Sequence, residues 1–309
     1  SLSGALKTLE SNLETAESRN KPFPPTSTGR RSALARWLTD RRNPLAARVA
    51  VNHLWGRHVG QPLVATVFDF GRKGAVPTHP QLLDWLAVEL MDHDWSMKHL
   101  HRLIVTSSAY RLSSSALGAE SNRTLDPDNR GHWRMNPGRM EAQVMRDALL
   151  HLSGELDVTI GGPSIDPVKD ELSRRRSLYF VHSHNDHHRL LAMFDDAGVQ
   201  ECYRREQSIV PQQALALSNS RQSLDAAAKI AGRLASQNTS AGDDAAFIRA
   251  AFIEVLASEP NEDELQVCKQ ALDEWKTLSA NAKPDEATRR ARANLVHALL
   301  NHNDFVTIR

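Results

Sequence analysis

The chain has 309 residues, of which 40% are hydrophobic and 24% charged, fractions typical of a globular protein. Its formal net charge is +1, so no strong overall field favours a nucleic acid or an anionic membrane as partner. Cys202 and Cys268 are the two cysteines, and no CxxC or CxxCH motif occurs, which excludes a zinc knuckle and a c-type haem attachment. No apolar run approaches the roughly 20 residues of a membrane-spanning helix.

The first 29 residues are predicted to form a helix and a linker. Four leucines share one helical face and predict a helix over residues 1–19: Leu2, Leu6, Leu9 and Leu13. KPFPPTSTG, residues 21–29, is a proline-rich linker that a helix cannot cross. The polar start at Ser1 has no signal peptide, and we expect the chain to be part of a longer protein.

Helical stripes of apolar residues dominate the next part of the chain. They predict helices over residues 32–40, 45–58, 82–90, 97–104 and 140–152. Thr78 to Gln81 fits a capping box for the third of these helices, and Ser96 is the predicted N-cap of the fourth. A long Gly/Pro-rich loop, residues 60–80, precedes the third helix, and ordered loops of this length are often functional.

Residues 155–180 are irregular, with one predicted strand, SLYFV, at residues 177–181. From Pro211 to near Asn301 the pattern is helical again. The fold class is therefore predicted to be mainly α: a multi-helix domain with long ordered loops and at most one or two short strands. We expect residues 30–309 to form this domain, with a sub-division near residues 155–210 as an alternative.

Several long blocks resemble the planctomycete PSD1 domain, a family of unknown function also called DUF1553. The blocks are LARWLTDRRNPLAARVAVNHLWGRHVGQPLVATVFDFGRKGAVPTHPQLLDWLAVEL, WSMKHLHRLIVTSSAYRLSS, RMEAQVMRDALLHLSGELD, RRSLYF, FDDAGVQECYRREQSIVPQQALALSN and ALLNHNDF, and together they cover roughly residues 30–308. The resemblance implies a C-terminal domain of a large exported protein with an N-terminal cytochrome-c-like domain. It therefore implies a periplasmic or cell-envelope location, the other domains of that protein as partners, and haem in another domain but no cofactor in this chain. It supplies no catalytic residues.

VHSHNDHHRL, residues 181–190, contains four histidines: His182, His184, His187 and His188. On a helix, His184 could share a face with His187 or with His188, and on an extended segment His182 and His184 would align, so that such a pair could hold zinc or copper. This pattern supplies no third ligand, HExxH is absent, and the resembling family has no histidines here. We predict that the segment binds no native metal, with a site at His184, His187 and His188 as the alternative.

Charged residues in two irregular segments are predicted to form one polar cluster. The 60–80 loop and residues 195–213 both lie between helices, so their backbone groups need partners. The predicted members are Asp69, Arg72, His79, Asp195, Arg204, Arg205 and Gln213. Further candidates are Asn52 and His53 in VNHLW, for which a structural role is favoured, and Cys202. As a nucleophile, Cys202 would need a nearby histidine base, and a packed, unreactive cysteine is the favoured interpretation.

Two functions remain open. The favoured one is a non-catalytic helical module that docks or orients the cytochrome-c-like and binding domains of an exported protein. The alternative is an enzyme that acts on extracellular polysaccharide through a carboxylate/arginine cleft, with a glycan as partner. A flat apolar patch on the helices would favour docking. A deep cleft with two carboxylates about 5–10 Å apart would favour the enzyme.

Overall fold

The computed structural model describes Lys7 and residues 27–200, 211–237, 243–278 and 283–308. Within these ranges it contains twelve α-helices and a single two-stranded antiparallel sheet, so the mainly α prediction is confirmed. Most of the predicted N-terminal helix and linker, residues 1–6 and 8–26, lies outside the described residues. No helix in the described part is both long and apolar enough to cross a membrane.

The secondary-structure elements follow in chain order. The helices are α1 (Arg30–Leu38), α2 (Ala46–Val59), α3 (Pro80–Asp92), α4 (Met97–Val105), α5 (Glu120–Leu125), α6 (Ala142–Leu152), α7 (Arg189–Met193), α8 (Pro211–Asn219), α9 (Arg221–Gln237), α10 (Asp244–Leu256), α11 (Glu262–Leu278) and α12 (Pro284–Leu300). The strands are β1 (Gly138–Arg139) and β2 (Thr307–Ile308). A 3₁₀ turn covers Ser177–Tyr179.

A first hydrophobic core lies among α2, α3 and α4. Val51, Leu90 and Leu100, one from each helix, are fully buried in it. Asn52, also fully buried, donates to the Val64 carbonyl at 3.0 Å and accepts from the Val64 amide at 2.8 Å. Because both backbone groups of Val64 are satisfied by one side chain, the start of the 60–80 loop is held against α2.

A second hydrophobic core lies among α6 to α12. Met145, Ile230 and Leu300 are fully buried in it. The first core ends at Ile104 and the second begins at Ala142. The alternative sub-division near residues 155–210 stays a prediction.

Two local predictions are wrong. The N-cap of α3 is His79, and no side-chain bond caps the helix, so the predicted capping box does not form. Thr78 instead donates its hydroxyl to the Leu63 carbonyl at 3.3 Å, which closes the loop. SLYFV is not a strand but the 3₁₀ turn followed by an isolated bridge between Phe180 and Ile165. The predicted N-cap at Ser96 is confirmed, since its hydroxyl accepts from the His99 amide.

Candidate functional site

A partly buried polar chain joins β1, α8 and the end of α7. Gln213, in the first turn of α8, is 3% exposed. Its amide donates to Asp195 Oδ2 at 3.2 Å, and its Oε1 accepts from Arg139 Nη2 at 3.0 Å. Pairing of β1 with β2 fixes the backbone at Arg139. Two members of the predicted cluster, Asp195 and Gln213, are thus brought together, with Arg139 as an added donor.

Asp195 adopts a backbone conformation that non-glycine residues rarely use. Its φ is 55°, in the left-handed region, directly after α7 and Phe194. Aspartate tolerates this region better than most residues, but the conformation still needs support from surrounding contacts. The bend turns the chain so that Asp195 contacts Gln213 while the next residue, Asp196, contacts a different set of side chains.

Asp196 lines a small polar cavity beside this chain. Its side chain accepts from the Gln143 amide and from its neighbour, the Ala197 amide, at 2.7 Å. His182 Nδ1 lies 3.6 Å from Asp196 Oδ2. The cavity has a volume of about 100 Å³ and is lined by Gln143, Ser177, Leu178, Phe180, Val181, His182, Asp186, His187, His188, Leu191 and Asp196. Pockets for small-molecule ligands usually measure about 300–1,000 Å³, so this cavity suits a few waters or one small group.

Arg146 holds the irregular wall of the cavity in place. It is fully buried and donates to Ser177 Oγ at 3.2 Å, to the Arg175 carbonyl at 3.1 Å and to the Ser173 carbonyl. Its guanidinium also lies over the Phe180 ring, 4.7 Å from the centroid. Burial lowers the pKa of Arg146 to about 10, so the side chain is charged at neutral pH. The Ser173 and Arg175 carbonyls accept from this charge, and the carboxylates of Asp147 and Asp170 also favour it.

Asp147 supports the same wall. Its carboxylate accepts from the Ser177 hydroxyl at 2.6 Å and from the Ser177 amide at 2.8 Å. It also lies 3.7 Å from Arg146 Nη1. Two neighbouring residues of α6 therefore satisfy the backbone of a segment that has no regular hydrogen-bond ladder. Neither Arg146 nor Asp147 is among the predicted site residues, although both lie in the block RMEAQVMRDALL.

The four histidines of residues 181–190 do not form a common ligand set. His188 is buried; its Nδ1 accepts from the Leu191 amide at 3.4 Å, and its Nε2 lies 3.0 Å from the Glu171 carbonyl. Nδ1 accepts, so Nε2 carries the proton, and burial lowers the pKa of this neutral imidazole. His187 and His184 are exposed, with His187 Nε2 at 3.1 Å from the His184 carbonyl.

The first half of the predicted cluster makes local contacts. Asp69 is exposed, and its side chain accepts a hydrogen bond from the Gly71 amide at 2.8 Å, which closes a tight turn. A Cβ at Gly74 would lie 2.1 Å from the Asp69 carbonyl oxygen, so the turn requires glycine there. His79 stacks on the His132 ring with centroids 5.1 Å apart, and Arg72 is exposed. Among the described residues, no hydrogen bond or ion pair joins Asp69 to Asp195 or Gln213.

The remaining candidates divide between structural roles and undescribed positions. Asn52 hydrogen-bonds both backbone groups of Val64, a structural role, as predicted. His53 has its ring centroid 6.3 Å from that of Phe68, and burial, with a smaller contribution from Arg57, lowers its pKa. Cys202, Arg204 and Arg205 lie outside the described residues, so the predicted meeting of the two segments stays a prediction.

The chemistry available in this region is that of a well-satisfied polar network. The Gln213 side-chain amide donates to Asp195, the Gln143 side-chain amide and the Ala197 backbone amide donate to Asp196, and His188 uses both ring nitrogens. The family model described as PSD1, "Protein of unknown function (DUF1553)", matches residues 30–272, well over half of the chain. No curated protein and no solved structure matches the chain.

Proposed function

The chain belongs to the PSD1 family of proteins of unknown function, DUF1553, and we propose that it is a non-catalytic helical module that docks other domains of a longer exported protein. The proposal includes a periplasmic or cell-envelope location and a cytochrome-c-like domain among the docked domains, as the family resemblance implies. The observation that carries it is the surface of α1.

Helix α1 presents an apolar face that no described part of the chain buries. Leu34 and Trp37 are each 56% exposed and Leu38 is 43% exposed. The three residues stand at spacings of three and four, so they lie on one side of the helix. No residue of α1 is buried. Isolated helices shorter than about 12–15 residues are marginal in water, so α1, with nine residues, needs a partner surface.

The orientation of α1 is nevertheless fixed at its C-terminal end. Asn43 is 7% exposed and donates its side-chain amide to the Trp37 carbonyl at 3.1 Å. Its Oδ1 accepts from the Leu45 amide at 3.0 Å, just before α2 begins. Asn43 therefore links the end of α1 to the start of α2. A helix anchored at one end and apolar on one face is suited to receive another folded surface.

A second exposed apolar group supports the same function. It lies in the irregular segment between α6 and α7, and its members are Val158, Ile160, Val168, Leu172 and Leu178. Singly exposed apolar residues are common on protein surfaces, but several within one short segment indicate an interaction surface. Arg146 and Asp147 bind residues 173–177, so Leu172 and Leu178 extend from an ordered part of this segment.

The alternative, an enzyme acting on extracellular polysaccharide, is favoured by one observation. Asp195 has a left-handed backbone, and such outliers concentrate at functional sites. The neighbouring cavity of about 100 Å³ is small for a sugar ring, and its two carboxylates, Asp186 and Asp196, are both already hydrogen-bonded. These features favour a structural role for the polar network, and docking is the better supported function.

The experiment mixes the purified chain with the separately expressed remaining domains of its full-length protein and measures heat of binding. The proposal predicts saturable binding at one-to-one stoichiometry. A parallel assay offers the chain a panel of polysaccharides and measures released reducing ends. Release of reducing ends that is lost in Asp195→Asn would establish the enzyme in place of the docking module.

A further inference from the structure

Three potential metal ligands meet where α3 ends and α4 begins. Glu89 lies in the last turn of α3, His93 directly follows that helix, and His99 lies in the first turn of α4. Glu89 Oε2 is 3.3 Å from His93 Nδ1 and 3.1 Å from His99 Nε2. His93 Nδ1 also lies 3.0 Å from the Glu89 carbonyl oxygen. Within the described ranges, these three residues form the group whose ligand atoms all lie within 4.8 Å of one another.

An unusual turn brings the two histidines together. Asp94 and Trp95, between them, have φ of 53° and 57°, in the left-handed region. The Trp95 amide donates to the Leu90 carbonyl at 2.8 Å, which folds the turn back on α3. The rings of His93 and His99 consequently stack with centroids 3.6 Å apart and planes at 12°. Two consecutive left-handed residues, one of them a tryptophan, are costly enough that the arrangement needs support from surrounding contacts.

We propose that Glu89, His93 and His99 bind a divalent transition-metal ion of the zinc type. Imidazole nitrogen and carboxylate oxygen are both common zinc ligands. In a tetrahedral site with bonds of about 2.0–2.1 Å, neighbouring ligand atoms are about 3.3–3.4 Å apart. The distance of 3.1 Å from Glu89 Oε2 to His99 Nε2 is close to that spacing, and His93 Nδ1 lies within 3.3 Å of the same oxygen. This site is separate from the docking face of α1 and from the polar network around Asp195.

The site is open to solvent and supplies three ligands. The side chains of Glu89, His99 and His93 are 26%, 31% and 47% exposed, respectively, so a hydrated ion has access. Three protein ligands leave one position of a tetrahedral ion for water. His188, by contrast, has both ring nitrogens engaged, and His182 lies beside Asp196. The chemistry therefore favours this turn over the histidine-rich segment 181–190.

Metal binding requires one imidazole ring to turn. A histidine nitrogen coordinates a metal within the plane of its ring, and two nearly parallel planes 3.6 Å apart do not meet at the ion. His93 is the more exposed of the two and follows the helix, so rotation about its Cβ–Cγ bond moves the least surrounding structure. We therefore expect the stacked pair to separate when the ion binds.

The test titrates Zn²⁺ alone into the full chain after dialysis against a chelator, with a chromophoric chelator as competitor. One Zn²⁺ per chain is expected. Glu89→Gln and His93→Ala should each weaken the binding by at least about tenfold. Loss of a residue that only hydrogen-bonds a metal ligand already weakens metal binding by about 10–100-fold. X-ray absorption of the zinc-loaded chain should show two imidazole ligands. Far-UV circular dichroism of each variant shows whether it is folded, and both positions are partly exposed.

The matched control is the double variant His184→Ala/His187→Ala, which removes two exposed histidines elsewhere. It should bind Zn²⁺ as tightly as the unaltered chain. The proposal is overturned if Zn²⁺ does not bind stoichiometrically. It is equally overturned if Glu89→Gln and His93→Ala keep full affinity, or if the control variant alone loses it.

Discussion

Gln213 donates a hydrogen bond to the Asp195 carboxylate at 3.2 Å while its own carbonyl oxygen accepts from Arg139. One neutral side chain thus lies between a guanidinium of β1 and a carboxylate in the turn after α7. Gln213 is 3% exposed, so neither end of its amide has water as a ready substitute partner. The relationship ties β1, α7 and α8 together at the edge of the second core.

Gln213→Ala should lower the free energy of unfolding by about 1–3 kcal/mol, because it leaves charged partners without a buried hydrogen bond. Gln212→Ala is the matched control, since Gln212 precedes it on α8 and is exposed; its effect should stay within about 0.5 kcal/mol. Urea unfolding measures both. Equal losses in the two variants would show that the Arg139–Gln213–Asp195 chain does not stabilise the fold.

Arg146→Met should lower the free energy of unfolding by about 3 kcal/mol or more. The substitution keeps an apolar stem but strips the Ser173 and Arg175 carbonyls and Ser177 Oγ of their shared donor. Arg176→Met, at a half-exposed position of the same segment, should cost far less. Chemical denaturation compares the two, and a small effect at Arg146 would mean that the segment holds itself in place.

Stability should fall as the pH drops below about 6.5, in part because of His188. Burial holds the pKa of His188 below its ordinary value. Between the folded pKa and the ordinary one of about 6.5, the unfolded chain binds more protons than the folded chain. Unfolding is therefore favoured as pH falls through that window, by at most about 1.4 kcal/mol per pH unit for one group.

His188→Gln should make this slope of stability against pH shallower between pH 6.5 and 5, whatever its effect on absolute stability. It should not remove the slope, because the pKa values of His53, His58 and His132 are also lowered by burial. His184→Gln changes an exposed histidine of the same segment and serves as the control. Denaturation midpoints measured across this pH range give the slope of stability against pH for each variant. An unchanged slope in His188→Gln would show that other groups cause the pH dependence.

Helices were predictable because their signals are local. The stripe of α4 and its cap at Ser96 lie within a few residues of each other, and both are confirmed. The predicted capping box at Thr78 does not form, because the threonine hydroxyl donates instead to the carbonyl of Leu63, near the other end of the loop. The predicted strand SLYFV is also absent, because Arg146 and Asp147 bind Ser177 and the segment begins as a 3₁₀ turn.

Side-chain networks were predictable only in part. Asp195 and Gln213 were both predicted members of the cluster, and they share a hydrogen bond. No residue near Arg139 in the sequence indicates that β1 pairs with β2, the pairing that places Arg139 beside Gln213. The Glu89/His93 pair has a helical spacing of four residues that could have been found. His99 lies past a break in the helix, and only the left-handed turn at Asp94 and Trp95 places it beside Glu89.

The docking proposal is tested most directly by the affinity of the chain for the remaining domains of its full-length protein when the face of α1 is altered. Leu34→Ser/Trp37→Ser removes two exposed apolar side chains, and Val267→Ser/Leu278→Ser removes two from α11 as the matched control. Calorimetric titration should show that the first variant binds at least about tenfold more weakly, because each buried apolar side chain contributes about 1.5–3 kcal/mol. The second variant should bind with unchanged affinity. Equal affinity in both variants, or no binding by the unaltered chain, would contradict the account.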